Sequence, residues 1–491
     1  MLSRSMVKFP LLVVLCLLLF ETVWPQRKGS LPEDNLTRAE LASHLRFLAS
    51  DELLGRMTGT NEIHIAARYI AEQFRLAGIL PVPGLHEYYQ DVPLERVTLS
   101  KAGWLILGKD TLLQKKDMII ARGSAADLNG DVVFAGTGTT EELAAKNLRG
   151  KILVTKYQNS SLATGKWNAA AEAGAIAIVE LYRGNFPWQS VLQFLGQSSF
   201  RIATEGKQIN MPYVLINDAQ SSYETALAGG VNMKASLYSE GVKIEQVRAR
   251  NVLGMIRGSN PALREEYILL MAHYDHVGAG LRPGATPEDT IFNGARDNAV
   301  GTVALMAAAR ALAARPPARS VLLAAVTSEE VGLMGSSYLA DHFPIPMQKV
   351  VYTLNTDGAG YNDTTIVTVI GLERTTAEDQ LKAGAARYRL GVIPDPVPEQ
   401  NLFNRSDNVS FARKGVPSPN FSMGIRAFDA EISKYYHRPA DHADDHFDFN
   451  YFARYCQAFT HAARLIADMK QRPVWKQGDA YEEAAKKLYG Q

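Results

Sequence analysis

Histidine and carboxylate residues in the second half of the chain follow apolar segments or lie in loops between predicted elements. Those after apolar segments are His273, Asp275, Glu329, Glu330 and Asp357, whereas Asp297 follows a glycine-rich loop and His437 lies in a later loop. Imidazole nitrogens and carboxylate oxygens are ligands that bind zinc and other divalent cations in proteins. The set exceeds the needs of one tetrahedral ion, and a carboxylate such as Asp297 can bridge two ions. We therefore predict a site for two metal ions, which can share a water, lower its pKa and polarise a carbonyl group.

Two of these acidic residues, Glu329 and Glu330, are adjacent, and the pair suits a hydrolytic reaction. One carboxylate can bind metal while its neighbour stays free to take a proton from the attacking water. Asp275 lies two residues after His273, a spacing at which it can orient the imidazole toward a metal ion. The predicted chemistry is metal-assisted hydrolysis.

Each of these motifs also has a purely structural explanation. Asp297-Asn298 can cap the helix that follows, and Glu329-Glu330 can favour the start of a helix. Asp357 precedes a glycine, a frequent sequence in turns. The metal interpretation rests on the joint pattern, in which a histidine or carboxylate follows each successive buried strand.

The elements that must position these residues alternate between strand and helix from residue 250 onward. The predicted strands are 252–256, 267–272, 320–327, 349–356 and 365–370, and the predicted helices are 301–314, 332–342 and 451–470. This alternation indicates an α/β fold with a mixed, mostly parallel sheet flanked by helices. Such sheets collect reactive side chains at the carboxyl ends of their strands, so we expect the polar residues to meet at one edge.

The chain of 491 residues is too long for one ordinary domain, and its character changes along its length. Residues 36–93 contain two amphipathic helices separated by a polar turn with glycines at 50–60. Residues 94–245 contain short strands separated by glycine-rich turns. We predict that they form an inserted, strand-rich domain within a main domain made of 36–93 and 246–470, followed by a C-terminal tail, 471–491.

Composition and charge exclude several classes of protein. Hydrophobic residues make up 46% and charged residues 21% of the chain, which is typical of globular proteins and not of disordered ones. Lys+Arg 52 and Asp+Glu 51 leave a formal net charge of +1, so no basic excess favours nucleic acid as a partner. Two cysteines, Cys16 and Cys456, cannot form a disulfide scaffold or a thiolate zinc site, and Cys456 is predicted to be buried.

The first 26 residues have the features of a secretory signal peptide, 1–26. Arg4 and Lys8 precede an apolar run from Phe9 to Phe20, which is too short to span a bilayer comfortably. An uncleaved membrane anchor is the alternative. We predict a secreted or periplasmic protein with no stable membrane span after cleavage.

The polar motifs also occur in a recognisable order. They are His273-Tyr274-Asp275, Gly294-Ala295-Arg296-Asp297-Asn298, Ser328-Glu329-Glu330-Val331-Gly332-Leu333, Asn355-Thr356-Asp357 and Tyr436-His437-Arg438-Pro439. This order resembles the co-catalytic two-zinc aminopeptidases, the family of secreted bacterial leucyl aminopeptidases and glutamate carboxypeptidases. By this resemblance the ligands of two Zn²⁺ ions are His273, Asp297 (bridging), Glu330, Asp357 and His437. Glu329 is then the general base, Asp275 orients His273, and Tyr436 helps to stabilise the oxyanion.

The inserted region resembles a protease-associated domain, which implies a role in substrate access and not in chemistry. Two residues near the predicted bridging ligand depart from the family pattern. Arg296 stands where Asp or Asn is common, and Val300 replaces a frequent small polar residue. A cation at position 296 would either alter the charge at the metal ions or point away to pair with an acidic neighbour. Neither departure removes a ligand.

The predicted function is an exported, metal-dependent aminopeptidase that hydrolyses the N-terminal residues of peptides. One alternative is a carboxypeptidase or dipeptidase at the same site, in which Arg405 or Arg426 would bind a free carboxylate. Another is a non-catalytic, receptor-like binding module, and a one-zinc cyclase acting on N-terminal glutamine shares the scaffold. His276, His442 and His446 lie near the motifs but match no ligand position, so we expect them at the surface or supporting the ligands.

Overall fold

The computed structural model describes residues 30–203 and 209–490, and the predicted signal peptide lies outside these ranges. Within the described ranges, no helix combines the length and apolarity needed to cross a membrane.

The described elements alternate between helix and strand over most of the chain. The helices are α1 Arg38–Leu48, α2 Asn61–Leu76, α3 Thr140–Ala144, α4 Ser160–Glu172, α5 Trp188–Leu195, α6 Ser222–Ala228, α7 Val300–Ala314, α8 Met334–Asp341, α9 Glu378–Arg387, α10 Asn408–Ala412, α11 Ala430–Tyr435, α12 Phe449–Ala467 and α13 Glu482–Tyr489. The strands are β1 Leu80–Pro81, β2 Tyr89–Thr98, β3 Gly103–Leu107, β4 Asp110–Leu113, β5 Met118–Arg122, β6 Ala126–Phe134, β7 Ile152–Lys156, β8 Ala177–Tyr182, β9 Ser199–Ile202, β10 Tyr213–Asn217, β11 Lys234–Ser239, β12 Lys243–Ile256, β13 Tyr267–His273, β14 Ser320–Val326, β15 Val350–Asn355, β16 Ile366–Ile370, β17 Gly391–Ile393 and β18 Asn420–Met423.

The larger sheet has ten strands in the order β17-β16-β18-β15-β13-β14-β12-β2-β9, with β1 paired to β12. Its central strands β14, β13 and β15 are parallel. On one side β12, β2 and β9 continue the sheet in antiparallel pairs, and on the other β16 is antiparallel to β18. The sheet is therefore mixed, as predicted, but it is not mostly parallel, because five of the nine strand pairs in the described sheet are antiparallel. Its parallel centre contains the strands that precede the polar motifs.

Helices cover both faces of this sheet, which explains why β13 and β14 are buried along their whole length and apolar except at His273 and Ser320. On one face α1, α2, α7, α9 and α12 form the main hydrophobic core. Leu339 of α8 and Phe411 of α10 pack against the opposite face. The free thiol of Cys456 is fully buried in α12, as predicted.

The smaller sheet has eight strands in the order β4-β3-β11-β6-β7-β8-β10-β5, and it has a hydrophobic core of its own. The chain enters and leaves this part of the molecule through β2 and β12, which pair antiparallel from Tyr89 opposite Val252 to Thr98 opposite Lys243. The predicted boundaries at 93/94 and 245/246 fall inside these two strands, because the pair extends from the larger sheet toward the smaller one.

Candidate metal centre

The parallel strands deliver the predicted ligands to one edge of the larger sheet. β13 ends at His273, and Glu329 and Asp357 come shortly after the ends of β14 and β15. Asp297 lies in the turn that leads into α7, and His437 follows α11. Because parallel strands end on the same side of a sheet, residues far apart in sequence meet here.

Asp297 lies between two pairs of potential ligands and directs one oxygen toward each. On one side, His273 Nε2 is 3.4 Å from Asp297 Oδ1 and 3.1 Å from Asp357 Oδ1. On the other, His437 Nε2 is 3.2 Å from Asp297 Oδ2 and 3.1 Å from Glu330 Oε2. This arrangement is the one that a carboxylate bridging two metal ions requires.

Two groups of side chains place their donor atoms within 4.8 Å of one another. The groups are His273, Glu329 and Asp357, and His276, Asp297, Glu330 and His437. The structure thus brings together the five sequence-predicted ligands and the predicted base, and it adds one histidine to the second group.

That additional residue, His276, was predicted to lie either at the surface or in support of the ligands, and the structure shows the second arrangement. Its side chain is fully buried, and Nδ1 donates to Glu330 Oε1 at 2.7 Å. Within the described part of the chain, its Nε2 has no hydrogen-bond partner. Burial excludes the surface position that the sequence left open, whereas His446 is exposed and His442 is partly exposed. The position of His276 next to Asp275, just beyond β13, was the available signal.

Asp275 supports the site in a different way from the predicted one. His273 Nδ1 contacts the backbone carbonyl oxygen of Asp275 at 3.2 Å, while the carboxylate oxygen lies 3.8 Å away. The carboxylate instead accepts hydrogen bonds from the amides of Glu329 at 3.1 Å and Glu330 at 3.3 Å. Asp275 therefore joins the end of β13 to the turn that carries both glutamates.

Arg296 points away from the ligands and pairs with Asp441, the second of the two outcomes expected for a cation at this position. Its Nη1 lies 3.0 Å from Asp441 Oδ1, and its guanidinium covers the Tyr435 ring at 3.7 Å. The same carboxylate accepts the backbone N–H groups of Arg296 and Asp297. Asp441, which no sequence motif indicated, thus ties the turn of Asp297 to the loop that follows His437.

Several carboxyl groups lie close together in the site, and its imidazoles alone do not balance their negative charge. Burial, reinforced by Asp357, raises the pKa of Glu329 well above its usual range. Burial also raises the pKa of Asp275 to about 6 and that of Asp407 to about 7. Neighbouring carboxylates add to each of these shifts, and bound divalent cations would offset this repulsion between negative charges. The nitrogen and oxygen donors therefore fit two metal ions in chemistry as well as in geometry.

A pocket opens next to these residues. Its apolar lining includes Ile370, Pro396, Leu402, Ile425 and Phe428. Tyr436 lies at the same pocket and stacks on the His437 ring, with the ring centroids 4.1 Å apart. Burial, together with nearby carboxylates, raises the pKa of Tyr436, so its phenol keeps a proton that it can donate.

Of the two arginines predicted as alternatives for binding a carboxylate, only Arg405 lines this pocket. Its side chain is exposed, and it makes no ion pair with any carboxylate in the described ranges. Arg426, in contrast, forms an ion pair with Asp363 at 2.5 Å. The pocket lining thus combines apolar side chains with the guanidinium of Arg405, which forms no ion pair with a described carboxylate.

Comparison with known proteins gives concordant matches. The profile of Peptidase family M28 matches residues 251–462. Aminopeptidase YwaD of Bacillus subtilis is 25% identical over 351 residues, which cover 70% of this chain and 67% of that protein. A probable zinc metalloprotease of Leptosphaeria maculans is 36% identical over 114 residues, which cover 23% of this chain and 25% of the relative. The chain therefore spans only a quarter of this fungal relative.

The fold is similar to that of a solved structure, the aminopeptidase from Aneurinibacillus sp. strain AM-1, over most of both chains. The superposition covers 88% of this chain and 94% of that chain, with a TM-score of 0.57 and 20% sequence identity. At this identity the likeness establishes the shared α/β fold.

Proposed function

We propose that this protein is a metal-dependent aminopeptidase that removes N-terminal residues from peptides, because residues 251–462 match the profile of Peptidase family M28 and the chain is similar to an aminopeptidase of Bacillus subtilis. The observation that carries the proposal is the position of Asp297, with one oxygen toward His273 and the other toward His437. Two metal ions bridged by one carboxylate are suited to hydrolysis of an amide bond.

The residues of the site divide naturally between two zinc ions. His273 and Asp357 would hold one ion, Glu330 and His437 the other, and Asp297 would contribute an oxygen to each. Bound zinc would lower the pKa of a water molecule and polarise the scissile carbonyl group.

The remaining side chains supply proton transfer and charge stabilisation. Glu329 accepts a proton from the attacking water and delivers it to the leaving amine. The phenol of Tyr436, which stays protonated, donates a hydrogen bond to the oxyanion that develops on the substrate. The apolar lining of the pocket, which includes Ile370 and Phe428, suits an aliphatic or aromatic N-terminal side chain.

Arg405 supports a second candidate function at the same site, a carboxypeptidase or dipeptidase. A guanidinium binds a carboxylate through two parallel hydrogen bonds, and Arg405 reaches the pocket without an ion-pair partner in the described ranges.

Export, the other part of the function predicted from the sequence, rests on the charged and apolar pattern of residues 1–26.

Hydrolysis of a panel of aminoacyl-4-nitroanilides by the purified protein tests the main proposal. We expect release of 4-nitroaniline that a chelator abolishes and added zinc restores. A protein that binds two zinc ions but releases nothing from any member would favour the carboxypeptidase or dipeptidase. A protein that binds no metal and has no activity would contradict the enzyme function.

A further inference from the structure

Arg56 is a buried arginine whose hydrogen bonds go to backbone carbonyl groups. Its side chain is 1% exposed. Nε donates to the carbonyl of Tyr274 at 2.8 Å, Nη1 to Asn293 at 2.7 Å and also to Leu48, and Nη2 to Gly294 at 3.0 Å. One guanidinium thus holds carbonyl groups from three separate segments of the chain.

Two of these segments carry metal-binding residues of the candidate centre. Tyr274 lies between His273 and Asp275, at the end of β13. Gly294 belongs to the turn that presents Asp297. Arg56 therefore spans the gap between a ligand of one ion and the carboxylate placed to bridge both ions.

Backbone contacts strengthen this connection. The amide of His276 donates to the carbonyl of Arg56 at 3.3 Å, and the amide of Gly278 donates to Gly55 at 3.1 Å. A side chain at Gly55 would bring its Cβ to 2.4 Å from the carbonyl oxygen of Phe292, and its φ is +67°. Only glycine permits so close an approach, so the turn before Arg56 is shaped to lie against the site.

Arg56 also differs from a buried arginine whose charge is balanced by an ion pair. Within the described ranges, no carboxylate lies within ion-pair distance of its guanidinium, although Arg319, another buried arginine, pairs with Glu266 at 2.7 Å. A buried cation without a paired anion is costly unless its donors are satisfied by other groups. Arg56 satisfies them with carbonyl groups of the loops that carry metal-binding residues.

We propose that Arg56 is a positioning residue of the metal centre: it fixes the distance between His273 and Asp297 and thereby sets the affinity for the two metal ions. The inference rests on the proposed metal-binding function. Arginine is required because its planar fork presents five donors in a fixed geometry, whereas the ammonium of lysine is a single compact charge. Replacement by lysine keeps the charge and removes the fork.

Metal affinity of the Arg56→Lys variant tests the proposal, with Arg319→Lys as the matched control. Arg319 is also 1% exposed and also donates to backbone carbonyls, those of Ala467 and Met469, but it directly precedes β14 and contacts the end of α12, not the ligands. We expect zinc to bind Arg56→Lys about 10-fold to 100-fold more weakly than wild type, measured by competition with a chromophoric chelator. We expect Arg319→Lys to bind zinc with wild-type affinity even where its melting temperature falls.

The outcomes separate this inference from the proposed function. Wild-type affinity in Arg56→Lys, or equal losses in Arg56→Lys and Arg319→Lys, would overturn the role of Arg56 while leaving the metal centre intact. A wild-type protein that binds no zinc would overturn the proposed function itself.

Hydrogen exchange of the wild-type protein tests the same relationship without a variant, should Arg56→Lys fail to fold. If Arg56 contacts promote metal binding, metal binding must stabilise those contacts by the same free energy. We expect zinc to slow exchange of the amides of His276 and Gly278, which donate to Arg56 and Gly55. The amide of Arg319, which donates to Ala467, is the control. Exchange at His276 and Gly278 that does not respond to zinc would overturn the proposal.

Discussion

Glu329 and Glu330 are adjacent in sequence, but their surroundings shift the pKa values of the two carboxyl groups in opposite directions. Burial opposes ionisation of Glu330, yet hydrogen bonds from His276 and His437 lower its pKa to about 2. Glu329 receives no such bonds, and burial raises its pKa well above the usual range. The pair thus divides into Glu330, which ionises readily and is suited to binding metal, and Glu329, which is suited to accepting a proton.

Substitution of each glutamate by glutamine should separate these two roles. Glu329→Gln removes the proton acceptor, so we expect kcat to fall about 10²-fold to 10⁴-fold while two zinc ions stay bound. Glu330→Gln removes a charged ligand, so we expect loss of zinc as well as activity. Turnover and zinc content of the same preparations provide the measurement. Loss of zinc in Glu329→Gln, or turnover within tenfold of wild type, would contradict this assignment.

His276 should contribute to metal affinity through Glu330. Its Nδ1 donates to Glu330 Oε1 at 2.7 Å, which leaves Oε2, on the side of His437, to bind a metal ion together with His437. We expect His276→Asn to weaken zinc binding about 10-fold to 100-fold, because groups that orient a ligand typically contribute this much. His442→Asn is the control, since His442 is partly exposed and its nearest carboxylate is Asp289, at 3.6 Å. Equal zinc affinities in the two variants would count against the contribution of His276.

His273, Glu330 and Asp357 could be recognised from sequence because they lie at or just after the ends of apolar strands, whereas Asp297 and His437 were recognised from the motifs that contain them. His273 is the last residue of β13, and Asp357 follows β15 closely. A short apolar run bounded by polar and glycine-containing segments predicts such a buried strand, and parallel strands end at the same edge of the sheet. The α/β class and the set of potential ligands therefore needed no knowledge of side-chain contacts.

The supporting residues could not be predicted because their partners are distant in sequence. Arg56 occupies what reads as a polar turn between two helices, and its contacts at Tyr274 and Gly294 arise only when the chain is folded. Asp441 similarly meets Arg296 only through the packing of the loop after α11. Arg56 and Asp441 support the site because their charged side chains are buried, and the local sequence does not show that a charged side chain will be buried.

Substitution of Arg405 should distinguish the two candidate activities. An aminoacyl-4-nitroanilide has no carboxylate, so we expect Arg405→Gln to release 4-nitroaniline within about threefold of the wild-type rate. N-acetylated peptides with a free C-terminus should remain intact in wild type and variant alike. Cleavage of these peptides by the wild type that is lost in Arg405→Gln but kept in Arg426→Gln would instead establish a carboxypeptidase.

Acid should destabilise the protein through Glu33, which lies far from the metal centre in sequence and joins α12 to the N-terminal segment. Glu33 is fully buried, with Oε1 2.9 Å from His461 Nδ1 and 2.8 Å from Arg464 Nε. Burial alone would raise the pKa of Glu33, but these hydrogen bonds lower it to about 2. An unfolded chain protonates glutamate near pH 4.3. The ionised carboxylate therefore stabilises the folded state above about pH 4.5, and this contribution is lost as the pH falls toward 2.

Glu33→Gln should consequently lower the free energy of unfolding by about 3 kcal/mol at pH 7, a difference that narrows progressively below pH 4.5. Urea unfolding at a series of pH values measures it. Glu378→Gln is the control, because Glu378 pairs with Lys382 and Lys476 on the surface, where ion pairs contribute less than about 1 kcal/mol. A difference between wild type and Glu33→Gln that stays constant from pH 7 to pH 3 would show that packing, and not the charge of Glu33, stabilises this contact.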